Sequence, residues 1–162
     1  GVYPISPVRG KTLFQLFAEM ILRAQDKYGC TIPWYIMTSE ANHDDTCAFF
    51  ADHDNFGIDD ANLLIFKQAM MPAIGFDGKL LMASQDSLAL SPNGHGGSLQ
   101  ALSDSGALAD MEKRGVEHIS YWQVDNPLIL PFDPLFLGLH AMEEAEVSCR
   151  GLAKTGPVTP AG

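Results

Sequence analysis

Three glycines within four positions, in Ser91-Pro92-Asn93-Gly94-His95-Gly96-Gly97, constrain this chain more than any other stretch. The apolar run Leu88-Ala89-Leu90 precedes them and Ser98-Leu99-Gln100-Ala101-Leu102 follows, so the order reads strand, tight loop, helix start. Without a Cβ, glycine adopts φ > 0 and lets backbone N–H groups approach a ligand closely. The helix that follows brings unpaired N–H donors and a positive dipole end, which suits a nucleotide or another polar ligand. A strand-to-helix turn with no ligand explains the same residues, and is the commoner meaning of such a loop.

A second segment narrows the choice. His118-Ile119-Ser120 leads into Tyr121-Trp122-Gln123-Val124-Asp125-Asn126-Pro127, an apolar-leaning run that ends abruptly. It reads as a buried strand whose carboxyl end presents Asp125 to a crevice, the place where open α/β sheets bind ligands. A carboxylate there can hold Mg²⁺ against nucleotide phosphates, because hard cations prefer oxygen. The other reading makes Asp125-Asn126-Pro127 an ordinary turn.

Between and around these segments, strand-like and helix-like patterns alternate. Thr12 to Tyr28 carries Leu13, Leu16, Phe17, Met20, Ile21 and Ala24 at helical period, with Thr12 as cap and Gly29 as stop. Trp34 to Met37 reads as a buried strand. A helix then opens in Ser39–Asp45 and runs to about Asp52, with Phe49 and Phe50 facing inward. Leu63 to Gln68 is a strand, and Lys79–Ala83 with Leu88–Leu90 form a hairpin around Ser84–Ser87. Helices follow at Ser98–Ser103, Leu108–Arg114 and Pro134–Glu144, and strands at His118–Val124 and Val147–Ala153. This alternation predicts a largely parallel sheet covered by helices on both faces, a three-layer α/β/α Rossmann-like fold.

Composition sets outer bounds. At 162 residues the chain fits one domain, 1–162, and its 46% hydrophobic and 19% charged residues are ordinary for a globular protein. Ten basic against twenty acidic residues give a net charge of −10, which argues against a nucleic-acid partner. Cys30, Cys47 and Cys149 have neither disulfide nor zinc spacing and suit a reducing cytosol, hence a cytoplasmic location. The most apolar stretch, Pro127 to Met142, is broken by Pro131, Asp133 and Pro134 and is too short for a membrane span. His43-Asp44-Asp45 resembles a metal cluster, but consecutive helical residues point in different directions, and acids at a helix start have an electrostatic reason to be there.

Taken in order, further blocks carry a resemblance. They are Lys11-Thr12-Leu13-Phe14-Gln15 with Ala18-Glu19, Pro33-Trp34-Tyr35-Ile36-Met37-Thr38-Ser39, and Phe49-Phe50 with His53 and Phe56-Gly57. Phe66 and Gln68 ahead of Met71-Pro72, Phe76-Asp77-Gly78-Lys79, the glycine loop, and Asp110-Met111-Glu112 with Arg114-Gly115 continue the series. Val124-Asp125-Asn126, Asp133-Pro134, and Lys154-Thr155 with Pro157 complete it. The chain resembles the uridylyltransferase family that makes UDP-sugars, and within it the UDP-N-acetylhexosamine pyrophosphorylase branch.

The resemblance implies a nucleotide-diphosphosugar transferase fold. It also implies a reaction of UTP with a sugar 1-phosphate, N-acetylglucosamine 1-phosphate first, to give a UDP-sugar and pyrophosphate. It assigns Gln68 to the uracil, helped by glycine-loop backbone at Gly94 and Gly96. Asp125 goes to the nucleotide phosphates and Mg²⁺, and Gly162 to the sugar. The resemblance places His95 on the nucleotide as well, where the ring could hydrogen-bond the nucleotide's sugar or phosphate. His95 stands where that branch usually has asparagine, a change that points toward the UDP-glucose and broad-range branches. The family's opening glycine-rich loop with its arginine is missing ahead of Gly1, and Thr159 replaces a family glutamate. The chain therefore resembles an internal piece, cut at both ends, whose isolated activity is expected to be low. Two rivals are a non-catalytic nucleotide-binding core and a sugar transferase of related fold. The second lacks its Asp-x-Asp motif, since Val124-Asp125-Asn126 has a single aspartate.

Overall fold

The computed structural model of the chain describes residues 1–153. Helix α1 runs Leu13–Tyr28; Thr12 caps it by accepting from Gln15 N, and Gly29 ends it at φ 63°. Its buried side chains, Phe14, Phe17, Ala18 and Ile21 among them, recur at helical spacing and form one face. Strand β1 (Trp34–Thr38) pairs in parallel with β2 (Leu63–Lys67), Trp34 opposite Leu63 and Thr38 opposite Lys67.

The strand alternation sorts side chains between two helical layers. Trp34 meets α1 and helix α2 (His43–Asp52): Phe14, Trp34 and Phe50 stack edge-to-face, with ring centroids 5.0 to 6.4 Å apart. Phe66 packs on the other side with Ala101, Leu102, Ala107 and Met111, against which Tyr35, Met37 and Leu64 also lie. Those partners come from α3 (Ser98–Asp104) and α4 (Ala107–Lys113). The fold is α/β, and the expected three layers are present around this parallel pair.

A second pair is antiparallel, β3 (Met70–Pro72) with β4 (Leu90–Pro92). Between them the predicted hairpin exists as a single bridge, Met82 with Leu88, and a separate bridge joins Ile74 to Leu80. The strand ahead of the glycine loop is therefore Leu90–Pro92, two residues later than the apolar run indicated. That shift follows from the partner, since Ser91 and Pro92 pair with Met71 and Met70.

Helix α2 begins at His43, inside the stretch expected to open it, because Asn42 Oδ1 accepts from Ser39 N at 2.8 Å and closes a turn over the preceding residues. Two further expectations need correction. The segment His118–Val124 is not a sheet strand; Val124 and Asp125 sit in a turn. What holds this segment is side-chain packing, with the Trp122 ring 5.8 Å from Phe17. Val147–Ala153 also forms no strand. Apolar composition marked both stretches, but a strand exists only where a neighbour supplies ladder partners.

The chain divides into two compact units, Gly1–Pro127 and Leu128–Gly162. The elements above belong to the first. In the second, α5 (Pro134–Met142) starts at Asp133, whose Oδ1 accepts from Leu135 N at 3.0 Å, with proline in the first turn. Arg150 pairs with the Asp133 carboxylate and lies over the Phe136 ring at 4.6 Å. That bond holds the Asp133 carboxyl below the usual carboxylate range.

Candidate functional site

The glycine loop is a short 3₁₀ turn, Gly94–Gly97, that runs into α3. Two of its glycines have structural reasons. Gly94 sits at φ 68°, a left-handed conformation that other residues adopt only at a cost. A Cβ on Gly97 would meet the Asn93 side chain at 2.3 Å. Gly96 stands in open space, where a Cβ would touch nothing within 4 Å.

Gln68 follows directly after β2, and its N–H extends the ladder to Thr38 O at 2.8 Å. Its side-chain oxygen accepts the Gly94 N–H at 2.5 Å. That bond fixes which way the amide faces: Oε1 is engaged, so the free hydrogen-bonding group is the Nε2 donor. The sequence reading allowed this amide both to donate and to accept toward a ligand. The structure uses its acceptor, and the Gly94 N–H, to join strand end to loop.

His95 links the same loop to a third segment. Its Nε2 lies 2.9 Å from Gln123 Nε2, its Nδ1 meets Tyr121 Oη, and the Tyr121 ring stands edge-on to it. An amide nitrogen only donates, so Nε2 accepts and Nδ1 carries the proton given to Tyr121. Both ring nitrogens are taken by protein partners. Asp125 lies two residues beyond Gln123, exposed and in a turn. Its charge acts on the Gly1 amino group, whose pKa burial lowers and Asp125 raises. The structure thus brings together Gln68, Gly94 and His95, and ties them through Tyr121 and Gln123 to the segment carrying Asp125. Gly162, with Lys154 and Thr155, lies outside the described residues.

Among the described residues, no group of three or more histidine, cysteine, aspartate or glutamate side chains gathers as a metal site. A lone exposed carboxylate still fits Mg²⁺, which is commonly held by one or two carboxylates together with substrate phosphates. Also among these residues, no helix is long and apolar enough to cross a membrane.

With this geometry in hand, comparison with known proteins decides the family. The pattern described as UTP–glucose-1-phosphate uridylyltransferase matches residues 1–162. The chain belongs to this family. It is 40% identical over 168 residues to the UDP-N-acetylhexosamine pyrophosphorylase-like protein 1 of Homo sapiens, covering 100% of this chain and 33% of that protein. It is 35% identical to the UDP-N-acetylglucosamine pyrophosphorylase of Saccharomyces cerevisiae, covering 95% of this chain and 33% of that protein. A crystal structure from Entamoeba histolytica, assigned as a UDP-N-acetylglucosamine pyrophosphorylase, superposes with TM-score 0.77 and 32% identity over 84% of this chain and 36% of its own. The chain spans about a third of the length of the curated relatives it matches.

Sequence reasoning missed the network that braces this uridylyltransferase-family chain behind the loop. Tyr35 Oη donates to Asp110 Oδ2 at 2.6 Å, and Arg114 Nε donates to the same oxygen at 2.7 Å. Arg114 also reaches Asn62 Oδ1 at 3.0 Å, so β1, α4 and the approach to β2 are joined. Burial, then the Asp110 bond, pushes the Tyr35 pKa up to about 12. The Asp110–Arg114 spacing was legible as a helical pair; Tyr35, 75 positions away from Asp110, was not.

Proposed function

We propose that this chain forms the nucleoside-binding part of a single nucleotidyltransferase catalytic domain. The reaction joins UTP to a sugar 1-phosphate, N-acetylglucosamine 1-phosphate in the first instance, giving a UDP-sugar and pyrophosphate. The observation that carries this reading is the Gln68–Gly94 bond, which leaves the Gln68 amide N–H₂ as a pre-set donor at the strand end. A uracil carbonyl accepts from that donor. Gly96 supports the same assignment, because nothing stands over it and a ligand can approach its backbone.

His95 serves this site by position. Held by Tyr121 and Gln123, it fixes the loop relative to the Asp125 segment. Asp125 is the residue that would hold Mg²⁺ and, through it, the nucleotide phosphates. A bound Mg²⁺ supplies charge neutralisation at the phosphates. The sugar-phosphate oxygen attacks the α-phosphorus as pyrophosphate leaves opposite, chemistry that asks the protein for positioning and not for a nucleophile. The three free cysteines fit a cytoplasmic setting, and neither nucleic acid nor a membrane enters this reading.

Calorimetric titration of the purified chain tests the assignment. UTP should bind with Mg²⁺ present. CTP should bind at least about tenfold more weakly, since its exocyclic amine opposes the Gln68 donor where uracil offers an acceptor. Gln68→Ala should erase that preference. Equal affinity for the two nucleotides would remove Gln68 from the base site.

A further inference from the structure

A cleft of about 530 Å³ opens beside α2 and β2, bounded by Cys47, Asp54, Asp60, Leu63 and Ile65 among others. None of the residues assigned to the nucleotide lines it. It has a thiol in its wall, and that thiol has a base. Cys47 Sγ lies 3.6 Å from His43 Nε2, one turn back on the helix. On the far side of the ring, His43 Nδ1 lies 2.8 Å from Thr38 Oγ1.

The proton positions follow from the third partner. Thr38 Oγ1 donates its single hydrogen to Phe66 O at 2.9 Å, so toward the ring it can only accept. Nδ1 therefore carries the imidazole proton, and the Nε2 lone pair faces the thiol. Thr38 is 5% exposed, so water does not compete for this arrangement. Nucleophile, base and orienting group stand in the order that activates a cysteine. Neither of the chain's other cysteines, Cys30 and Cys149, both exposed, has a hydrogen bond to a histidine among the bonds described.

We propose that Cys47 and His43 form a thiol–disulfide exchange site whose substrate class is a small cationic organic disulfide. His43 Nε2 takes the Cys47 proton, and the thiolate attacks one sulfur of the disulfide. The new Cys47 sulfur–sulfur bond forms as the reagent's own breaks, and the departing thiolate recovers the proton from His43. The products are a mixed disulfide on Cys47 and one free thiol, and the disulfide itself is the oxidant. The preference for a cation comes from the cleft wall, where Asp54 and Asp60 are both acidic. Nearby Lys67 is itself paired with Glu40 at 3.0 Å, so its charge is largely balanced.

The test is a time course on the purified native chain with cystamine near neutral pH, quenched in acid and mapped by mass spectrometry at all three cysteines. Cys47 should be modified at least about tenfold faster than Cys30 or Cys149, although it is the least exposed of the three. In His43→Gln that advantage should vanish while Cys30 and Cys149 keep their rates. The glutamine amide can still donate to Thr38 Oγ1, and an unchanged far-ultraviolet circular dichroism spectrum reports that the fold persists. Oxidised glutathione, which is anionic, should label Cys47 more slowly than cystamine does. Modification of Cys30 or Cys149 ahead of Cys47 in the wild-type chain would overturn the site. A Cys47 rate as fast with oxidised glutathione as with cystamine would overturn the charge preference.

Discussion

Tyr35 shows how much a single side chain's surroundings add to its identity. Its hydroxyl is desolvated and given to Asp110, so the neutral form is favoured and the pKa rises to about 12. A raised value means that folding retains a proton the unfolded chain releases. The associated stability is present below the unfolded tyrosine value of about 10 and is lost as pH climbs through the folded one. Alkaline titration followed by tyrosinate absorbance should show one late step, and Tyr35→Phe should remove it. Gly94 and Gly96, two positions apart, should respond differently to the same change. Gly94→Ala forces a Cβ into the left-handed region and should cost about 1–2 kcal/mol in denaturant unfolding. It should also weaken UTP binding, by shifting the N–H that Gln68 accepts. Gly96→Ala meets no atom within 4 Å and should leave stability nearly unchanged. Similar losses in both variants would mean that the loop geometry is not what makes glycine necessary.

Helix α1 was legible to within a residue at each end because its signals are local. The Thr12 hydroxyl, the Gly29 left-handed stop and the apolar period all act within a few positions of chain. Thr12→Ala removes the acceptor for Gln15 N and should cost about 1 kcal/mol, read as a fall in thermal midpoint with activity-independent binding of UTP retained. No change in midpoint would show that the cap is not limiting. Strands behaved differently. Trp34–Thr38 and Leu63–Lys67 were found because each has a parallel partner and helices over both faces. His118–Val124 was equally strand-like in sequence, yet it is held by the packing of Trp122 on Phe17 and by the reach of Tyr121 and Gln123 to His95. Ladder partners are supplied by other parts of a fold, and a strand's own residues do not encode them.

Taken as a single object, the chain places no described lysine or arginine in the corner proposed to read the nucleoside. Gln68, Gly94, His95, Gly96 and Asp125 include no lysine or arginine, and both nitrogens of His95 are engaged. Transfer from a triphosphate needs fixed positive groups or backbone donors, and losing even one such donor commonly lowers the rate about a hundredfold or more. With a net charge of −10, other parts of the chain offer little compensation. Pyrophosphate release from UTP and N-acetylglucosamine 1-phosphate by this purified chain should therefore stay near background. In the full-length context of its relatives, Asp125→Asn should sharply reduce turnover and its Mg²⁺ dependence. Robust turnover by the chain alone would mean that the corner described here suffices for the whole reaction.

Read by itself, the sequence determined the helices with local caps, the glycine loop, the three layers and, through blocks spread along the chain, the family. These are properties that neighbours in sequence enforce, or that many short matches in order make specific. The tertiary structure alone decided how the groups are used. It turned the Gln68 acceptor toward Gly94 and left a donor free. It spent both nitrogens of His95 on Tyr121 and Gln123, and placed Asp125 in a turn instead of at a strand end. The consecutive run His43-Asp44-Asp45 cannot converge on a metal from a helix, and the contact that forms is His43 with Cys47 across a helical turn and with Thr38 from the neighbouring strand. Hydrogen-bonding capacity is written in residue type, whereas its direction is set by whichever partner the packed chain brings within about 3 Å.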